Sequence, residues 1–300
     1  MILKNRNIQL WFKERFPVIN FSTALLMAFF SKAAALLTLN KNWFWSPQDL
    51  GAFFVVASHL FLLRVFDEHK DHESDRINHP ERVLQKGLVQ LSEIRILGYF
   101  AFGVQIAGLF LLDIDRTMAL LWGGVWFWTL LMFKEFFIKE TLRANLVAYS
   151  FLHLLISPLL ILFVFINYSE NQINWPVVQI IFLVLFSSGW FYEITRKTKP
   201  QESERKEPSF SNTWGLQKAS YIQFIVFNIF TTASLALFAK LTILNISSIV
   251  ILTFLYILTV STIFNFTKNP NIKNQKKTEG CVALSSGFVL LFPFIKSLLL

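Results

Sequence analysis

Long apolar runs recur along the whole chain, each broken by a short polar stretch. About 20 apolar residues cross a bilayer as a helix. On that measure the pattern predicts nine spans, at about 17–38, 49–66, 96–113, 117–138, 145–167, 175–193, 219–240, 244–266 and 281–300. Lys32 interrupts the first. The expected fold class is all-α, a polytopic membrane protein. The two longest polar stretches, 67–95 and 194–218, each follow an even-numbered span and fall on one membrane face. The segment 267–280, basic and rich in asparagine, reads as a solvated connection.

Composition agrees with this pattern. Of 300 residues, 54% are hydrophobic and 16% charged, too apolar for a soluble chain of this length. No small-residue cleavage site follows the first apolar run, so no cleaved leader is expected. Charge sets the orientation. Of the 28 Lys and Arg, 22 fall at the N-terminal segment and the even-to-odd loops, Lys4, Arg205 and Lys206 among them. Only Lys41, Arg116, Lys240 and Lys296 fall on the other side. The asymmetry places the N-terminus in the cytoplasm and the C-terminus outside, in the inner membrane if the source is bacterial. The net charge of +9 is thus a topology signal, and no nucleic-acid partner is expected. The single Cys281 excludes a disulfide framework.

The candidate chemistry begins where the second span ends, in LLRVFDEHKDHESDRINHPER. Asp67, Asp71 and Asp75 recur at four-residue steps, and each step turns a helix face by only about 40°. Stacked like charges weaken a helix. A divalent cation carrying a phosphorylated ligand explains such a stripe. A solvated helix end with interspersed Lys70 and Arg76 is the plainer explanation. Downstream, Pro80 stops the helix, Arg82 and Lys86 present cations at a spacing of four, and Gly87 permits a turn.

The run Asp67-x-x-x-Asp71-x-x-x-Asp75-Arg76, followed by His79-Pro80-Glu81-Arg82-x-Leu84-x-x-Gly87-x-Val89, resembles the UbiA-type intramembrane prenyltransferase superfamily. Asp67 stands where that family usually has Asn. The resemblance implies one membrane-embedded domain over 1–300, with nine helices around a central cavity and cytoplasmic cap loops at about 67–95 and 194–218. It also implies a second acidic motif near the end of the sixth span. There the chain has Glu193, with Lys197 where an Asp is expected and Glu202 and Glu204 as the next acids.

The activity so implied is Mg²⁺-dependent transfer of a polyprenyl group from its diphosphate to a hydrophobic acceptor in the bilayer, such as an aromatic quinone or lipid precursor. Asp67, Asp71, Asp75 and Glu193 are the expected catalytic and metal-binding residues. Arg64, Arg82, Lys134, Arg196 and Lys197 are the expected diphosphate ligands. The family carries a Tyr four residues before the lysine matched by Lys134, and this chain has Leu130 there. Intramembrane polar residues suggest an acceptor side at His59, Asn145, Tyr149 and His153, with interhelical hydrogen bonds as their alternative role. A UbiA-like terpene cyclase and a non-catalytic carrier are the competing readings. A CDP-alcohol phosphotransferase would need an Asp-Gly-x-x-Ala-Arg lead-in that the chain lacks.

Overall fold

The computed structural model describes residues 6–170, 172–204 and 208–299. Lys4, Arg205 and Lys206 of the charge asymmetry lie outside them. Every regular element among the described residues is helical. The helices are α1 (Arg6–Arg15), α2 (Val18–Thr38), α3 (Pro47–Lys70), α4 (His72–Asn78), α5 (Leu91–Leu109), α6 (Arg116–Phe133) and α7 (Lys139–Ala144). They continue with α8 (Leu146–Leu154), α9 (Ile156–Asn167), α10 (Trp175–Lys197), α11 (Phe210–Trp214), α12 (Leu216–Lys240), α13 (Ile246–Lys268) and α14 (Ile272–Leu299).

Seven spans, not nine, are long and apolar enough to cross a membrane among the described residues: α2, α3, α8 with α9, α10, α12, α13 and α14. The expected third and fourth spans do form helices, of 19 and 18 residues. They fall short on apolarity. α5 opens on Glu93 and Arg95 and carries Gln105, and α6 opens on Arg116 and draws much of its bulk from tryptophan. The fifth span is broken at Leu155, because Pro158 has no N–H for the carbonyl of Leu154. The supposed connection 267–280 is mostly helix. The Asn271 side chain accepts from the N–H of Asn274 at 2.9 Å and starts α14 nine residues before the expected span.

The chain forms two compact units, one from residues 6–29 and 44–136 and the other from 30–43 and 137–299. In the first, α3 and α5 run antiparallel in close contact. A Cβ on Gly51 would lie 2.8 Å from the carbonyl oxygen of Gly108, and one on Gly98 would lie 3.0 Å from Val65 Cγ1. Small residues let two backbones approach this closely where lipid offers no hydrophobic drive. Helix α1 buries Ile8 and Trp11 against Phe61, Leu62, Val65, Leu84, Val89 and Ile94.

In the second unit, aromatic stacking ties α10, α12 and α13 together. Phe191 stacks on Phe227 at 4.8 Å, and Phe227 on Tyr256 at 5.4 Å. Hydroxyl pairs add Ser188–Ser286 at 2.8 Å and Thr259–Ser285 at 3.1 Å. Lys32, the interruption of the first span, is only 1% exposed. Its ammonium lies 4.5 Å from the Trp43 ring centre and 5.1 Å from that of Tyr168, so aromatic faces offset its desolvation.

Candidate active site

The aspartate stripe is real in register but broken in backbone. α3 ends at Lys70, and Asp71 (φ −99°, ψ 5°) joins it to α4. Four-residue hydrogen bonding persists across the break: Asp71 N to Asp67 O at 2.8 Å, Asp75 N to Asp71 O at 2.7 Å and His79 N to Asp75 O at 2.7 Å. Pro80 follows the end of α4 as expected, and Gly87 takes a positive φ of 70° in the turn beyond.

The three carboxylates have different surroundings. The Lys70 ammonium stands between the first two, 3.3 Å from Asp67 Oδ1 and 3.9 Å from Asp71 Oδ2. Arg64 meets the other oxygen of Asp67, Oδ2, at 3.6 Å. The side chains of Asp67 and Asp71 are 40% and 28% exposed, while Asp75 is 9% exposed and ion-paired with Arg82. No three His, Cys, Asp or Glu among the described residues gather closely enough to hold a metal. Two carboxylates that already share one cation nevertheless suit Mg²⁺, which takes one or two carboxylates and fills its shell with water and phosphate oxygens. Asp67 and Asp71 fit that ion. Asp75, expected to join them, is committed to Arg82.

Two contacts that the sequence did not reveal hold this corner. Glu68, 1% exposed, is ion-paired with Arg15 of α1. Glu14 Oε2 accepts the N–H of Val83 at 3.0 Å, tying α1 to the turn that carries Arg82. The signal lay in the spacing of Ile8, Trp11 and Phe16, an amphipathic pattern ahead of the first span.

The second motif is compact and net basic. Glu193, on the last turns of α10, pairs with Arg196 and Lys197, each at 2.8 Å. The Lys197 ammonium also lies 5.3 Å from the Tyr149 ring centre, and that ring stacks on His153 at 4.1 Å. Two of the four suggested acceptor-side residues therefore join the second motif. The further acids do not. Glu204 accepts from Ser209 (2.8 Å), Ser211 (2.5 Å) and Asn212 (3.0 Å), so it organises the cap loop. Glu202 accepts the N–H of Ile272 at 2.9 Å, at the start of α14.

The other two acceptor-side residues are structural. His59, fully buried, lies 3.2 Å from Gln105 Nε2 and 3.1 Å from Thr129 Oγ1, between Trp122 and Trp126. It takes the interhelical alternative because α5 and α6 cover its face of α3. Asn145 caps α8, its Oδ1 accepting from Ala148 N at 3.0 Å. Lys134, exposed just after α6, extends over the Phe133 ring at 5.5 Å, and among the described residues no carboxylate pairs with it.

Comparison with curated proteins gave no match. Two solved structures share the fold. One is from work on a digeranylgeranylglyceryl phosphate synthase in membranes, with TM-score 0.63 and 19% identity over 98% of this chain and 99% of that one. The other is the apo structure of a UbiA homologue from Aeropyrum pernix K1, with TM-score 0.65 and 14% identity over 92% and 98%. The model of the UbiA prenyltransferase family matches residues 19–286, which include both acidic motifs. The chain belongs to the UbiA prenyltransferase family.

Proposed function

We propose that the protein transfers an isoprenoid group from its diphosphate to a hydrophobic acceptor within the membrane, using Mg²⁺ at the end of α3. The observation that carries this reading is the shared cation position between Asp67 and Asp71, at a partly exposed helix end inside the family match. Asp67 and Asp71 would hold the ion. Once bound, Mg²⁺ supplies neutralisation of the charge that grows on a departing diphosphate. Arg64 and Lys70 already border these carboxylates and add positive charge beside the same oxygens. Asp75 fixes the Arg82 guanidinium at the mouth of the following turn.

The chemistry is ionisation and capture. The allylic C–O bond breaks and its electron pair leaves with the diphosphate. An aromatic carbon or a hydroxyl of the acceptor then bonds to the cationic carbon and loses a proton. In the second motif one carboxylate faces two cations, and this net positive charge suits phosphate oxygens better than a second metal ion.

The reading includes a topology. α5 lies along α3 from Gly98 opposite Val65 to Gly108 opposite Gly51, about 15 Å of its length, so it shares the membrane depth of a spanning helix. With α6, joined to α3 by His59 and Thr129 at 3.1 Å, the reading has nine crossings and a cytoplasmic N-terminus.

The test is a screen of geranyl, farnesyl and geranylgeranyl diphosphates with and without aromatic and glycerol-based acceptors, using purified protein. Acceptor-dependent prenylation supports the reading. Diphosphate release with a cyclic product and no acceptor points to a cyclase. No consumption of any diphosphate defeats both.

A further inference from the structure

A groove of about 380 Å³ opens in the first unit between α3, α5 and α6. Its walls are apolar, with Leu62 and Phe66 from α3, Tyr99 and Phe102 from α5, and Trp126 and Phe133 from α6. Two polar side chains also line it, His69 and Arg95, and the antiparallel helices bring both to the same end. The groove thus runs from a polar mouth along seven residues of each helix, from His69 to Leu62 and from Arg95 to Phe102, or about 10 Å. One bilayer leaflet offers about 15 Å of hydrocarbon.

The mouth carries one exposed cation. Arg95 is exposed, and among the described residues no carboxylate pairs with it. The Nδ1 of His69 is 2.8 Å from the carbonyl of Val65, which holds the ring against α3. Its Nε2 is buried, so the ring closes the end of the groove and Arg95 is the polar group left at the mouth. An exposed cation above an apolar trough matches a lipid with an anionic phosphate headgroup. The groove is separate from the metal position. His69 and Asp67 are two residues apart on α3, about 160° around the helix.

We propose that this groove binds one anionic phospholipid, its acyl chain between α3, α5 and α6 and its phosphate on Arg95. Tyr99 and Phe102, 70% and 44% exposed, are then covered by lipid chain rather than by protein. The proposal does not depend on the prenyl-transfer reading, because neither His69 nor Arg95 belongs to that chemistry.

The test uses native mass spectrometry of the full-length protein in detergent, with phosphatidylglycerol and phosphatidylcholine as competing probes. The wild type should retain phosphatidylglycerol preferentially. Arg95→Gln should weaken that preference about fivefold, as expected for one basic residue against an anionic headgroup. The melting temperature and any basal turnover should not change, since Arg95 is exposed and outside the catalytic groups. Equal retention by wild type and variant overturns the proposal. So does displacement of the bound lipid by a prenyl diphosphate, which would make the groove part of the substrate site. Loss of lipid on dimerisation would assign the face to a second copy and also overturn it.

Discussion

Replacing Asp75 with Asn should separate stability from chemistry within the first motif. Asp75 is 9% exposed and its partner Arg82 is 19% exposed, so the substitution leaves a largely desolvated guanidinium without its counter-charge. Breaking a buried ion pair on one side costs about 3–5 kcal/mol, and a fully exposed pair contributes about 0–1 kcal/mol. The partial exposure here places the cost at about 2 kcal/mol. At roughly 2–4 °C per kcal/mol for a chain of this size, the midpoint should fall by about 4–8 °C. Asp71→Asn touches a long, half-buried contact of 3.9 Å to Lys70, which keeps Asp67 as a closer counter-charge, and should cost under about 1 kcal/mol. The assay is thermal unfolding of the detergent-purified variants, together with the Mg²⁺ concentration that half-saturates turnover. Arg82→Gln and the double variant complete a cycle, and the double variant should cost less than the sum of the two singles. The reasoning is refuted if Asp75→Asn melts like wild type while losing Mg²⁺ dependence, or if Asp71→Asn is the more destabilised of the two.

Three further outcomes follow from the packing and the second motif. Gly108→Ala puts a methyl 3.0 Å from both the Gly51 carbonyl oxygen and Phe54 Cβ, and should destabilise by about 1–3 kcal/mol in the same unfolding assay. Glu204→Gln removes the charge that accepts from Ser209, Ser211 and Asn212. It should speed proteolysis between residues 199 and 215 without altering the Mg²⁺ requirement. Glu193→Gln frees Arg196 and Lys197. It should lower turnover but move half-saturation by Mg²⁺ less than about twofold, whereas Asp71→Asn should move it at least about tenfold, in line with loss of one charged ligand.

The helical membrane class was legible from apolar run length alone, and the helix stop at Pro80 and the turn at Gly87 from local backbone chemistry. The failures have identifiable causes. α5 and α6 read as spans by pattern and do form helices, but Glu93, Arg95, Gln105 and Arg116 dilute their apolarity, so run length alone overstated it. The spacing of Asp67, Asp71 and Asp75 gave the register but not the ion pairing. Arg82 claims Asp75 from seven residues away, through a turn that spacing cannot reveal. Glu202 and Glu204 read only as the next acids after Glu193, because charge does not disclose which backbone or hydroxyl donors will surround it. His59 lay near the aspartate stripe by count, yet its face of α3 is covered by Gln105 and Thr129, which are 46 and 70 residues away in sequence. Glu68 gave no sign of burial, because its partner Arg15 lies on a helix 53 residues earlier.

The most direct measurement is diphosphate release from a polyprenyl diphosphate by purified protein, titrated with Mg²⁺, for wild type and Asp71→Asn at matched folded fraction. The expected result is saturable, Mg²⁺-dependent release by wild type and, in the variant, release that needs at least about tenfold more Mg²⁺. Unchanged release by Asp71→Asn, or release by wild type that ignores Mg²⁺, would contradict a metal held by Asp67 and Asp71.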